Sequence, residues 1–132
     1  MGRIRIVVVD DKPAFLQRLT SLLADEFEVV ATAADGKSAL EVIRRCHPDL
    51  IVLDLGIPEL NGIEVTREIM KSPGSKPLVV ICSVEINPEI VQAAREAGAI
   101  AYVFKMRADK DLTLAVKSAL LGKPFVSPDH CA

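Results

Sequence analysis

The chain has 132 residues, 50% hydrophobic, 26% charged and 4% aromatic, and its 16 Lys plus Arg against 18 Asp plus Glu give a formal net charge of -2 at pH 7. Such a chain fits one globular domain that buries roughly two thirds of its unfolded surface within a radius of gyration of about 14 Å, with no metal or disulfide needed to fold. The acidic balance, the lack of Trp and a lone Tyr outside any basic run argue against direct nucleic-acid binding, and apolar runs of about five residues are far short of the ~20 that cross a bilayer.

The N-terminus Met1-Gly2-Arg3-Ile4-Arg5 leads straight into a strand-like run, without an apolar signal core or a small-residue cleavage site, so the chain is expected to stay in the cytoplasm. Cys46, Cys82 and Cys131 are odd in number, far apart and without a Cys-x-x-Cys pair, as in a reducing compartment. His47 and His130 have none of the neighbouring ligands that a zinc site needs.

Taken in chain order, the hydrophobic period switches repeatedly between strand and helix. Ile4 to Val9 predicts a first strand ending at Asp10-Asp11, and Pro13 with Leu16, Leu19, Leu22 and Leu23 predicts the first helix. Val29 to Ala33 predicts a second strand, closed by the Ala34-Asp35-Gly36 turn before the stripe Ala39, Leu40, Ile43 and Cys46. Leu50 to Leu53 runs into Asp54, and a shorter stripe at Val65, Ile69 and Met70 follows. Leu78 to Cys82 runs into Ser83; Asn87-Pro88 then caps a helix carrying Ile90, Ala94 and Ala97, which Gly98 ends. Ile100 to Phe104 runs into Lys105, before a helix with Leu112, Ala115, Val116 and Ala119 that stops at Gly122. Residues 1–122 therefore read as one domain, and Lys123 to Ala132, with two prolines and no periodicity, as a tail or the start of a linker.

Five β-α units with mostly two-sided apolar strands predict a doubly wound α/β fold: a five-stranded parallel sheet with helices on both faces, three layers in all. In such sheets ligands bind at the carboxyl ends of the strands. Four of the five strands deliver a polar group to that edge: Asp10-Asp11, Asp54, Ser83 and Lys105. Asp11 taken alone could equally cap the first helix, whereas capping gives Asp10 no reason to be there. Clustered carboxylates repel unless a cation stands between them, and Mg²⁺, with its preference for oxygen ligands, suits the set. Aspartates, a lysine and a hydroxyl suit phosphoryl chemistry, in which a carboxylate can serve as nucleophile.

At these residues the chain resembles the receiver domain of two-component response regulators, over roughly Ile4 to Gly122. The resemblance is carried by Val-Val-Val-Asp10-Asp11, by Asp54 within Leu-Asp-Leu-Gly-Ile-Pro-x-x-Asn61-Gly62, by Ser83, and by Lys105 within Ala-Tyr102-Val-Phe-Lys. It implies a flavodoxin-like strand order 2-1-3-4-5 and a phosphoacceptor switch rather than a turnover enzyme, self-catalysing only its own phosphorylation and dephosphorylation. Asp54 would accept a phosphoryl group from a phosphohistidine on a sensor histidine kinase. Asp11 would bind Mg²⁺ directly, Asp10 through a water, and the Gly56 carbonyl would complete the protein ligands. Lys105 would pair with the phosphoryl oxygens, Ser83 would swing to donate to one of them, and Tyr102 would follow inward, altering the surface of helix four, strand five and helix five. That surface, or the helix one and helix five faces, could support a homodimer.

Asp-Asp-Lys-Pro13-Ala-Phe15 and the run from Ala115-Val116 through Gly122-Lys-Pro-Phe-Val-Ser127-Pro128 resemble receivers of LuxR-type DNA-binding regulators. There a helix-turn-helix output domain follows at about this point, so the chain is either a stand-alone receiver or one cut from a longer transcription regulator, with DNA contact left to the missing segment.

Three positions depart from the pattern: Val84 stands where Ala is usual and could crowd the phosphate, Met106 replaces a Pro after Lys105, and Gly56 offers no side chain to an attacking water. Two rivals remain: a receiver fold kept as an unphosphorylated dimerisation or docking module, and a Mg²⁺-dependent hydrolase of the haloacid dehalogenase kind. The second needs a further Asp where Gly56 stands.

Overall fold

The structure, a computed structural model, describes residues 2–128; His130, Cys131 and the end of the expected tail lie outside them. β1 (Arg5–Val9), β2 (Glu28–Ala33), β3 (Leu50–Leu53), β4 (Leu78–Ser83) and β5 (Ala101–Phe104) alternate with α1 (Pro13–Ala24), α2 (Gly36–Cys46), α3 (Gly62–Lys71), α4 (Pro88–Ala97) and α5 (Ala108–Leu120). A 3₁₀ turn, Lys105–Arg107, joins β5 to α5. All strands pair in parallel, in the order β2-β1-β3-β4-β5, with chain direction along the sheet reversing at β1.

The stretch expected to be a tail adds to this sheet. Phe125–Val126 form β6, parallel to β5, with Ala101 opposite Phe125 and Tyr102 opposite Val126. Two residues are too short to print a period, so the strand is defined by its partner alone.

Alternate residues of each strand feed two cores. Val7, Val9, Ile51, Leu53, Val79, Ile81, Tyr102 and Phe104 pack against α2, α3 and α4. Ile6, Val8, Val52, Val80, Cys82, Ala101 and Val103 pack against α1 and α5. Burial on both faces is why these strands read as unbroken apolar runs. Among the described residues no helix is long and apolar enough to cross a membrane.

Local chemistry sets the helix starts. The Asp35 side chain accepts from Ser38 N at 2.7 Å, and Asn87 accepts from Glu89 N at 2.8 Å ahead of Pro88. Asn61 and Glu64 form a reciprocal capping box on α3. The cap position of α1 is Lys12, which makes no side-chain cap bond, so Asp11 does not cap the helix.

Gly62 lets α3 begin against the end of β3. A Cβ there would lie 2.5 Å from the Asp54 carbonyl oxygen and 2.8 Å from Leu55 Cα, closer than carbon atoms tolerate. Gly62→Ala should therefore destabilise the domain by about 1–3 kcal/mol in urea unfolding. Gly2→Ala, whose methyl meets nothing within 4 Å, should leave the midpoint unchanged; equal midpoints for both variants would refute this account.

Candidate functional site

The parallel order sets the ends of β1, β3, β4 and β5 side by side, and the polar residues expected at that edge meet there. Lys105 enters the site from the end of β5 with only 6% of its surface exposed. Its Nζ lies 2.7 Å from Asp10 Oδ2 and 3.2 Å from Asp54 Oδ2. The Asp54 contact is a hydrogen bond; the Asp10 contact is an ion pair outside hydrogen-bond geometry. Burial opposes the charge on Lys105, but the Asp10 contact and the charges of Asp54 and Asp10 outweigh it and hold the ammonium above its ordinary pKa.

Asp10 is fully buried, and its Oδ1 accepts from Lys12 N at 2.9 Å. It is thus occupied by the backbone of the β1–α1 turn and by Lys105. Asp11 is half-buried, and its Oδ1 is shielded from solvent without a hydrogen-bond partner, the nearest cation being Lys12 Nζ at 3.7 Å. One carboxylate oxygen each of Asp10, Asp11 and Asp54 lies within 4.8 Å of the others. An all-oxygen donor set in which Asp11 Oδ1 lacks a hydrogen-bond donor, and Asp10 Oδ2 has only the Lys105 ion pair, fits a hard metal cation.

A cavity of about 310 Å³ opens over Asp54, lined among others by Lys12, Gly56, Ser83, Val84 and Lys105. Gly56 is exposed, its N 3.5 Å from Asp54 Oδ1, with open space where a side chain would stand. Val84 stands at the mouth, 73% exposed. Met106 is exposed beside Lys105, and no cis peptide bond occurs among the described residues.

Ser83 is buried, and its Oγ accepts from Glu85 N at 3.2 Å. The Tyr102 hydroxyl donates to the Glu85 carbonyl at 2.8 Å, and its ring meets Phe104 edge to face at 5.9 Å. The ring is already fully inward, where the resemblance implied that it moves there only after Ser83. The resemblance speaks of two states, and these contacts belong to one.

Phe15 was not among the expected site residues, yet Lys105 Nζ lies 4.5 Å from its ring centroid. Its sequence signal, one aromatic amid a leucine stripe, is indistinguishable from an ordinary core position. His47 ends α2 in a left-handed turn (φ 49°) and takes no part in this constellation.

A family model described as the response regulator receiver domain matches residues 6–117. The chain is 35% identical over 130 residues to the transcriptional regulatory protein DegU of Brevibacillus brevis, covering 96% of this chain and 54% of that protein. It is 36% identical over 118 residues to the DNA-binding response regulator MtrA of Mycolicibacterium smegmatis, covering 89% of this chain and 51% of that protein. It thus spans about half the length of these curated relatives. A solved structure, a LuxR-family two-component response regulator from Aurantimonas sp. SI85-9A1, superposes with a TM-score of 0.90 at 34% identity, covering 98% of this chain and 92% of that one.

Burial is the largest influence on the Tyr102 phenol and pushes its pKa up to about 12; it likewise raises the Cys82 thiol to about 12. The unfolded chain ionises these groups near 10 and 9 while the folded chain stays protonated, so stability falls as pH rises from about 9 to 12. Because Tyr102 is the only tyrosine, an ultraviolet phenol titration reads it directly. The expected midpoint in the folded chain is near 12; a midpoint at the ordinary value would mean the ring is not held as described.

Proposed function

The chain belongs to the response regulator receiver domain family, and from that membership we propose that it is a phosphoacceptor switch in which Asp54 takes a phosphoryl group from a phosphohistidine on a sensor histidine kinase. The observation that carries this reading is the Lys105 ammonium held between Asp10 and Asp54 on the floor of an open cavity. That arrangement presents a carboxylate nucleophile with its countercharge already in position.

In the proposed step an Asp54 oxygen attacks phosphorus, the new O–P bond forms as the P–N bond to the histidine breaks, and the bond pair leaves with the imidazole. Asp11, Asp54 and the Gly56 carbonyl would hold Mg²⁺, with Asp10 behind a water; the ion would supply charge neutralisation on the phosphoryl oxygens. Lys105 exchanges part of its contact with Asp54 for a phosphoryl oxygen, and the Ser83 hydroxyl donates to another. Moving Ser83 disturbs the Glu85 amide bonded to it and, through the Glu85 carbonyl, Tyr102. A local charge change thereby biases the β4–α4 loop between two arrangements.

Exposed Met106 beside Lys105, exposed Leu114 on α5 and exposed Leu121 at its C-terminal end supply apolar surface for a homodimer through the α4-β5-α5 or α1-α5 faces. The likeness to DegU and MtrA supports transcription regulation as the whole protein's role, in the cytoplasm, with DNA contact assigned to a segment outside residues 1–122. Of the residues after 122, Phe125–Val126 pair with β5, so a linker to that segment would start beyond them. Self-catalysed phosphorylation and loss of the group are all the catalysis proposed. A haloacid-dehalogenase-like hydrolase is disfavoured, because Gly56 cannot supply that reaction's acid and base.

Incubation of the chain with Mg²⁺ and acetyl phosphate should add one phosphoryl mass, and Asp54→Asn should abolish it. An unlabelled wild type would favour a docking module, and undiminished labelling of the variant would discard Asp54. Val84 lines the cavity where a smaller Ala would leave more room for the phosphodonor, so Val84→Ala should label faster; equal rates would remove Val84 from the account.

A further inference from the structure

Two buried polar side chains lie beyond the phosphoacceptor cavity, Asp111 on α5 and Ser127 just after β6, each only 3% exposed. Ser127 joins three elements. Its N donates to the Tyr102 carbonyl at 2.9 Å, its Oγ accepts from Phe104 N at 3.0 Å, and the same hydroxyl donates to Asp111 Oδ2 at 2.7 Å. Asp111 in turn receives Arg107, Nε at 2.7 Å and Nη2 at 3.3 Å.

Phe104 is the residue before Lys105, and Arg107 closes the 3₁₀ turn that Lys105 opens. The backbone that carries Lys105 is thus held on both sides, and both holds converge on the Ser127–Asp111 hydrogen bond. A buried carboxylate, hydroxyl and amide hydrogen-bonded to one another have little freedom to relax independently.

We propose that Ser127 and Asp111 are positioning residues for Lys105, forming a latch by which the segment after α5 sets where the ammonium stands relative to Asp54. Neither touches the reacting atoms; they act through the Phe104 amide and the Arg107 turn. By the same linkage, a change in Lys105 contacts alters how firmly residues 123–128 dock on β5, giving the chain beyond α5 a physical connection to the site. For its consequence on rate the inference rests on the phosphoacceptor reading; for its geometry it does not.

The test uses the 132-residue chain and reads the Lys105 side-chain ammonium resonance by NMR without phosphodonor, together with the rate of labelling by acetyl phosphate and Mg²⁺. Ser127→Ala and Asp111→Asn should shift the ammonium resonance and slow labelling by about tenfold, within the ~100-fold that a misplaced group can cause. Val126→Ala, on β6 beside Ser127 but exposed, should match the wild type in both. If Ser127→Ala does not fold, Asp111→Asn decides, since it keeps the shape but removes the charge that holds Arg107 and strengthens the bond from the Ser127 hydroxyl.

An unmoved resonance and an unchanged rate in the folded variants overturn the latch, as does an equal shift from Val126→Ala. A wild type that takes no phosphoryl group removes the phosphoacceptor reading instead, and the ammonium resonance still decides the latch.

Discussion

The ammonium of Lys105 is the charge on which the carboxyl edge of the sheet depends. Asp10 and Asp54 are both buried and face the same few ångströms of space, and their like charges would repel if no cation stood between them. Lys105 supplies that cation from within the fold, and the two carboxylates hold its own charge against burial. Removing one partner from such a set is expensive, on the order of 3–5 kcal/mol, because the remaining charge is left buried and uncompensated. The set is also asymmetric. Asp11, with a shielded oxygen lacking a donor, remains open to a further cation.

A parallel sheet is what makes this meeting possible. Residues 10, 54 and 105 are distant in the chain, but parallel strands all end at one edge, and the order β2-β1-β3-β4-β5 seats β1 beside β3 and β4 beside β5. Two apolar layers fix those ends rigidly, since alternate strand residues are buried on opposite faces and a one-residue slip would turn every one of them the wrong way. Gly62 tightens the same edge by letting α3 start against the Asp54 backbone.

Around this rigid centre lie two polar arrangements of different character. The Ser83, Glu85 and Tyr102 contacts tie a loop to the sheet through single hydrogen bonds, with Ser83 Oγ acting only as acceptor toward Glu85 N. The Phe104, Ser127, Asp111 and Arg107 contacts form a largely buried set, and they hold the backbone on either side of Lys105. The first is a pair of single bonds at a loop, the second a network that spans β5, α5 and the residue after β6.

Much of this was legible in the order of residues. Hydrophobic period located five strands and five helices, the strands to within one residue at each end, because two-sided burial demands unbroken apolar runs, and a strand's end dictates what stands at the sheet's edge. Asp10, Asp11, Asp54, Ser83 and Lys105 could be singled out because polar residues directly after buried strands need a reason to be there. Tertiary structure alone decided the rest. β6 exists only because β5 has an open edge; Phe15 differs from its leucine neighbours only through the cation above its ring; and Asp111 and Ser127 look like surface residues until burial makes each the other's partner. Period and composition report what each segment wants to bury, whereas a hydrogen bond between residues far apart in the chain is chosen only when folding removes the water that would otherwise satisfy both.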